Sequence, residues 1–375
     1  MEDERKMSIS EVVAVNGGFG PYSYTQNSSY QKGAAVAAMD MIKEVLPTTL
    51  DLNHLFSSSP NPIIKIADFG CSTGLTSVQV IETIIKCLLD LIQPTEHPQF
   101  RTPEFQAIFN DLPTNDFNTL FTNLLPERRQ YYAMAAPGSF HGRLLPTASL
   151  HFAYSSCALH WLSRAPQEIL DKSSCAWNGE RIHYASSPAE VVGAYAAQFE
   201  RDMDAFLIAR AEEMVGGGLV FMIVPGVPDS VHESQTTIGS EIELLGSCLG
   251  NMANEGIISK AKLESFNVPI YLPSKKELKQ AIGQNGSFDV ERIQTLNHPK
   301  MHVAFSTVES RSLFLRAPFE GLLLHHFGDE MIMDDLFHRY SLKVAKSPFF
   351  LKPERHEAIM LFVVLKRKAY EEKLQ

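Results

Sequence analysis

Several things are scarce in this 375-residue chain, and each scarcity narrows what it does. Its five cysteines, Cys71, Cys87, Cys157, Cys175 and Cys248, are odd in number and widely spaced, with no Cys-x-x-Cys pair. That argues against a disulfide scaffold and predicts reduced thiols in a cytoplasmic protein. Basic charge is in deficit, with 33 Lys and Arg against 43 Asp and Glu, a net charge of −10. Without a basic patch interleaved with aromatics, nucleic acid is not an expected partner. Such a field does not draw in an anionic small molecule either, so an acid would have to be recognised by local contacts. The apolar run Ile359 to Leu365 is far too short to span a bilayer. The charged start, Met-Glu-Asp-Glu-Arg-Lys, precedes no apolar signal core, so no membrane partner is expected. Neither the dinucleotide fingerprint Gly-x-Gly-x-x-Gly nor a phosphate-binding Gly-Lys-Ser/Thr loop follows the first strand.

What remains is a chain with 45% apolar residues and 10% aromatics, enough for one large domain with an appended lobe, or for two. Its most informative stretch runs from Ile63 to Gly74, Ile-Ile-Lys-Ile-Ala-Asp-Phe-Gly-Cys-Ser-Thr-Gly. An apolar strand breaks into a turn of small residues, and the apolar spacing from Val78 to Leu89 then fits a helix. Gly70 and Gly74, lacking a Cβ, would let a bulky ligand lie against the main chain. Asp68-x-Gly-x-x-x-Gly suits a cofactor with an ammonium and no phosphate, such as S-adenosylmethionine, with Asp68 near its cationic groups.

Further strands are predicted at Phe105–Leu112, Tyr131–Ala136, Leu150–Ser155, Leu219–Pro225, Phe288–Thr295 and Ile359–Lys366. Their alternation with helical patterns predicts an α/β fold with a mostly parallel sheet. Residues up to Asn16 read as a loose lead-in, Lys32 to Leu46 as a helix, and Pro47 to Pro62 as a solvated linker. The apolar spacing over Tyr195 to Val215 predicts a helix ended by Gly216-Gly217-Gly218. The helix-rich segment from Asp229 to Ser287 suits a cap over an α/β core.

Strand ends of such a sheet face the binding crevice. Asp111 ends the second strand, where a carboxylate accepts from both hydroxyls of a ribose. It lies farther from Asp68 than the ~20 residues usual in a dinucleotide fold. Asp116 is an equal candidate by composition, and capping the next helix is its favoured role. After the third strand, Ser139 is placed to bond a cofactor, and Phe140 either stacks on adenine or fills the core. After the fourth come His160, read as a base, a donor or a half-buried structural histidine, and Trp161, either core or an N–H donor to a carboxylate oxygen. The pair His325-His326 lacks the spacing for a shared helical metal face.

The chain resembles the plant SABATH methyltransferases. The likeness rests on Tyr22-Ser-Tyr-Thr-Gln-Asn-Ser-Ser-Tyr-Gln31, Ala67-Asp-Phe-Gly-Cys-Ser-Thr-Gly74, Asn110-Asp-Leu-Pro-Thr-Asn-Asp-Phe-Asn118, Pro137-Gly-Ser-Phe-His-Gly-Arg143 and Ala158-Leu-His-Trp-Leu-Ser163. It extends to Ala176-Trp-Asn-Gly179 and Ser265-Phe-Asn-Val-Pro269, covering nearly the whole chain. The resemblance implies a Rossmann-like class I methyltransferase core with a helical cap. It divides the chain into an S-adenosylmethionine-binding core at 1–228 (lid 1–45, part of the cap inserted at about 162–194), a helical cap at 229–287, and a completing segment at 288–375 with cap helices at about 305–345. It also implies methyl transfer from S-adenosylmethionine, usually onto a carboxylate, by a homodimer.

Carried over by position, Tyr24, Ser28, Asp68, Gly70, Thr76, Asp111, Leu112, Ser139 and Phe140 would contact the cofactor. Gln31 and Trp161 would orient the acceptor's carboxylate as the catalytic pair, with Tyr24, Cys157 and His160 lining its pocket. Some members carry Mg2+, for which Asn178, Glu264, the Phe266 carbonyl and Asn267 would be ligands. The chain also departs from the pattern. Asn16 replaces a frequent Lys, Leu75-Thr76 replace Pro-Asn, Cys157 replaces a common Tyr and should widen the acceptor pocket, and Glu264 replaces Asp. The competing readings are an N-methyltransferase acting on a xanthine or similar heterocycle, and a non-catalytic ligand-binding relative. Retention of both Gln31 and Trp161 favours carboxyl methylation.

Overall fold

A computed structural model describes residues 13–56, 63–92, 102–124, 129–229, 236–296, 306–347 and 359–369. Seven strands form one sheet: β1 (Ile63–Phe69), β2 (Glu104–Asn110), β3 (Tyr132–Ala135), β4 (Leu150–Ser156), β5 (Met214–Gly226), β6 (Phe288–Thr295) and β7 (Ile359–Arg367). Their order is β3-β2-β1-β4-β5-β7-β6. The run from β3 to β5 is parallel, and β7 lies antiparallel between β5 and β6. This is the class I methyltransferase arrangement, with the order reversing beside β1, where β1 sits between β2 and β4.

The central strands are apolar on both faces, as a sheet covered on both sides requires. On β5, Leu219, Phe221 and Ile223 face one core with Ile64 and Ile66, whereas Val220, Met222 and Val224 face the other with Ala67 and Phe69. After the short α1 (Tyr24–Asn27), the first core is closed by helices α2 (Ser29–Thr49), α3 (Leu52–Phe56), α4 (Leu75–Leu91) and α5 (Phe117–Asn123). The second is closed by α6 (Ala189–Glu213) together with helical residues such as Leu278, Ala281 and Ile282. A third, separate core joins α7 (Thr237–Asn254), α8 (Lys260–Glu264), α10 (Val308–Phe327) and α11 (Glu330–Lys346), while α9 (Lys275–Asn285) packs on α6. Leu245, Leu249, Leu315, Leu322, Leu336 and Tyr340 fill this cap core. Each such fully buried side chain contributes about 1.5–3 kcal/mol.

Three local expectations differ from what the chain does. Helix α2 passes through Pro47 to Thr49, and α3 follows after Leu50 and Asp51, so the first part of the expected linker is largely helical; residues 57–62 lie outside the described residues. A proline near a helix end removes one backbone bond, and the buried Ile42, Val45 and Leu46 hold the helix across it. Helix α6 ends at Glu213, and Met214 already starts β5, so the three glycines do not stop a helix. They sit where the β4–β5 register shifts, with Gly217 at φ 75°, and supply the bulge instead. Residues 13–16 are not loose: the Asn16 N–H donates to Ala317 O at 3.1 Å. Gly321 of α10 leaves room for this strap, since a Cβ there would stand 2.9 Å from Val13 Cγ1.

Candidate active site

The site is built where β1, β2 and β4 end side by side, with Asp68 in register with Phe109 and Tyr154, and Phe69 with Asn110. Asn110 stitches this edge together. Its carbonyl accepts from the N–H groups of Gly70 and Cys71, both at 2.9 Å. Its side-chain amide donates to Ala136 O at 2.6 Å and Gly138 O at 2.9 Å, fixing the loop that carries Ser139 and Phe140. Ser155 Oγ donates to Phe69 O at 2.8 Å, tying β4 to β1.

Gly70 and Gly74 have φ of 86° and 83°, the left-handed region that glycine tolerates. The space a Cβ would take is filled by protein rather than by a ligand. A Cβ at Gly70 would stand 2.3 Å from Ala158 Cβ, and one at Gly74 2.6 Å from Leu120 Cγ. The glycines are therefore required for turn shape and packing, and both also border the recess.

Two adjoining cavities meet here. A polar recess of about 490 Å3 is lined by Ser28, Lys32, Asp68, Thr76 and Tyr154, among others. A longer, more apolar crevice of about 1170 Å3 runs from Asp111, Leu112, Ser139 and Phe140 to Cys157, His160 and Trp161, with Ile238, Phe314 and Phe319 on its wall. Tyr24, Gln31 and Gly70 line both. All the carried-over cofactor and acceptor residues thus border one continuous space.

Its electrostatics favour a cation. Burial, with Asp111 adding, pushes the Asp68 carboxyl up to about 7, and its Oδ1 is buried without a hydrogen-bond partner. Asp111 accepts the N–H groups of Ser72 at 2.7 Å and Leu112 at 2.8 Å, yet burial still raises it to about 6. The Tyr154 hydroxyl is buried and unpartnered beside the recess. These orphaned groups fit the ammonium and hydroxyls of S-adenosylmethionine. Asp116 stands apart as the cap of α5, accepting from Thr119 N at 2.9 Å, and it also accepts from Gly18 N at 2.8 Å.

In the crevice, Gln31 Oε1 and His160 Nδ1 are buried without partners. Burial lowers His160 to about 3, so it is neutral at physiological pH. Trp161 leans on Phe319 with ring centroids 5.5 Å apart, at the edge of the cap core. Phe140 is half-buried and edge-on to Phe206 at 6.2 Å, so it borders both the core and the crevice.

Of the four carried-over metal ligands, the three side chains Asn178, Glu264 and Asn267 are engaged with other groups as arranged. Asn178 Nδ2 donates to Asn267 Oδ1 at 2.7 Å, and Asn178 Oδ1 accepts from Ser187 Oγ at 2.7 Å. Glu264 is paired with the Lys172 ammonium, so a second cation would meet a like charge. Among the described residues no group of three or more His, Cys, Asp or Glu is placed to hold a metal ion.

Sequence patterns did not single out the residues that hold the two site loops. Buried Arg210 donates to Phe140 O at 2.8 Å, Gly142 O at 2.9 Å and the Glu213 carboxylate, which accepts from Leu145 N at 2.9 Å. About two turns earlier, Asp202 accepts from Ser163 N at 2.8 Å and Ser163 Oγ at 2.7 Å. Their signal was available. Asp202, Arg210 and Glu213 fall in phase with the apolar stripe Tyr195, Phe199, Met203 and Phe206 of α6, where a charge must be paired.

With that geometry in hand, comparison with known proteins decides the family. The model of the SAM dependent carboxyl methyltransferase family matches residues 10–368. The chain belongs to this family. Loganic acid O-methyltransferase of Catharanthus roseus is 42% identical over 359 residues, 96% of this chain and 95% of that one. Farnesoic acid carboxyl-O-methyltransferase of Arabidopsis thaliana is 41% identical over 292 residues, 78% of this chain and 81% of that one. Among solved structures, loganic acid methyltransferase with SAH superposes with a TM-score of 0.88 at 42% identity, covering 96% of this chain and 99% of that one. The protein is accordingly an S-adenosylmethionine-dependent carboxyl O-methyltransferase, and the SABATH resemblance read from its motifs is correct.

Proposed function

We propose that this methyltransferase esterifies the carboxylate of a small plant hormone or specialised metabolite, with Gln31 and Trp161 as the orienting pair. The observation that carries this reading is that Gln31 lines both the polar recess and the apolar crevice, while Trp161 stands on the crevice wall. The similarity to enzymes named for loganic and farnesoic acids supports an acid with a terpenoid body. The apolar wall of Ile238, Phe314 and Phe319 suits such a body.

When bound, S-adenosylmethionine supplies a sulfonium methyl whose transfer leaves a neutral thioether. Asp68 would hold its ammonium, Asp111 would accept from its ribose hydroxyls, and Ser139 and Phe140 would border its adenine. A carboxylic acid with a pKa near ~4 is ionised at neutral pH, so no side chain has to remove a proton. Neutral His160 is suited to hydrogen bonding rather than to proton abstraction. The Gln31 amide and Trp161 indole N–H each donate to the carboxylate and turn one oxygen toward the methyl, an alignment worth roughly 7–11 kcal/mol. The family association and the reduced cysteines support a homodimeric, cytoplasmic enzyme.

Trp161→Phe removes one charge-assisted donor, about 1.5–3 kcal/mol, and should lower kcat/KM by about 10- to 150-fold. The assay is methyl-ester formation from a panel of acids, with xanthines alongside because paraxanthine methyltransferase 2 of Arabidopsis thaliana is 35% identical over 328 residues. Full activity of the variant on an acid, or turnover of xanthines alone by the native enzyme, would overturn the assignment.

A further inference from the structure

The polar recess has a cation as well as an anion on its wall. Lys32 and Asp68 are the two charged residues that border it. Lys32 lies in the second turn of α2, one turn after Ser28 and next to Gln31, so these three positions share the helix face toward the site. Its ammonium donates to Thr25 O at 2.5 Å, and Thr25 Oγ1 bonds Thr73 Oγ1 of the glycine turn at 2.7 Å. The recess is thus closed by the lid helix, with Lys32 at the seam. Across from it begins α4, whose N-cap is Gly74 and has no side-chain cap, while Thr76 and Ser77 of its first turn line the recess. Free N–H groups at a helix start favour an anion. The recess therefore offers positive charge from two sources on facing sides, together with the unpartnered Asp68 Oδ1.

We infer that Lys32, with the start of α4, binds the carboxylate of the cofactor's amino-acid end while Asp68 binds its ammonium, so that the recess recognises a zwitterion. This rests on the cofactor reading above and adds a residue that motif spacing left unassigned. A neutral recess would accept the nucleoside with or without its amino acid. This one discriminates at both charges, and the two opposite charges fix which way round the α-carbon sits.

The test is calorimetry on the full chain with S-adenosylhomocysteine and 5′-methylthioadenosine, which lacks the amino-acid end. Lys32→Met should weaken S-adenosylhomocysteine by about 10- to 100-fold, the scale of a lost charge-assisted contact, and leave 5′-methylthioadenosine within about twofold. Lys32→Arg should restore most of the loss. Equal weakening of both ligands would mean that Lys32 merely supports the Thr25 seam, and unchanged S-adenosylhomocysteine binding would mean that it does not face the ligand; either result overturns the inference. The unmutated protein gives an independent check. Decarboxylated S-adenosylmethionine, which keeps the ammonium, should bind about 10-fold or more weaker than S-adenosylmethionine, and equal affinity overturns the carboxylate contact. Failure of the unmutated protein to bind S-adenosylhomocysteine at all would sink the cofactor reading itself.

Discussion

On the proposed reading, Asp68 is a single residue poised for the methyl donor's ammonium. Burial raises its carboxyl to about 7, so the free enzyme holds it partly protonated near neutrality. Pairing with an ammonium needs the ionised form. Affinity for S-adenosylhomocysteine should therefore rise with pH up to about 7 and fall about tenfold for each unit below, as titration calorimetry would read. The stability of the free protein moves the other way. A carboxyl whose folded pKa lies above its unfolded value destabilises the fold increasingly as pH climbs from about 4 to about 7, and not below that window. Thermal melting without ligand should show this slope, Asp68→Asn should flatten it, and saturating ligand should offset it. The acid and its turn were legible in the chain because they are contiguous. The reason for the glycines was not, because Ala158 and Leu120, which fill their missing Cβ positions, arrive from distant segments.

At the scale of one element, α6 acts as a splint for the crevice. Arg210 and Glu213 near its end hold the loop of Ser139 and Phe140, and Asp202 holds the loop that follows Trp161. The Arg210 guanidinium also lies over the Phe69 ring at 4.0 Å, so its plane is fixed by stacking as well as by bonds. Arg210→Lys keeps the charge but loses the fork that bonds two carbonyls and a carboxylate together. The expected result is a KM for S-adenosylmethionine raised about 5- to 30-fold, equivalent to about 1–2 kcal/mol, with little change in KM for the acid. Steady-state kinetics with each substrate varied in turn would check it. The amphipathic pattern disclosed this helix and its core face. The carbonyls that its charges serve are set by tertiary packing, so spacing alone did not reveal that duty.

Across the whole molecule, the sheet and the cap have separate cores, and a buried ionic cluster organises the cap. Arg311 of α10 donates to Glu241 of α7 at 2.6 Å, and Tyr340 of α11 donates to the other Glu241 oxygen. Removing one partner leaves a buried charge alone, so Arg311→Met should destabilise the protein by about 3–5 kcal/mol in denaturant melts. The parallel sheet and the helix-rich cap were legible from alternating strand and helix periods. The cluster was not, because its three members are far apart in sequence and none sits in a motif.

The strap at residues 13–24 is anchored on two bodies at once. Gly18 N–H reaches Asp116 on the core, whereas Asn16 N–H reaches Ala317 and Tyr22 stacks under Arg316 on the cap. Val13, Ala14 and Val15 then roof the acceptor crevice. The ceiling over the incoming acid is thus made of chain that can be trimmed without touching the glycine turn, Asp68 or Asp111. A preparation clipped after Val15 would keep a furnished berth for the methyl donor and lose the shelter over the oxygen that should receive it, so donor occupancy by itself would be a poor gauge of a working enzyme.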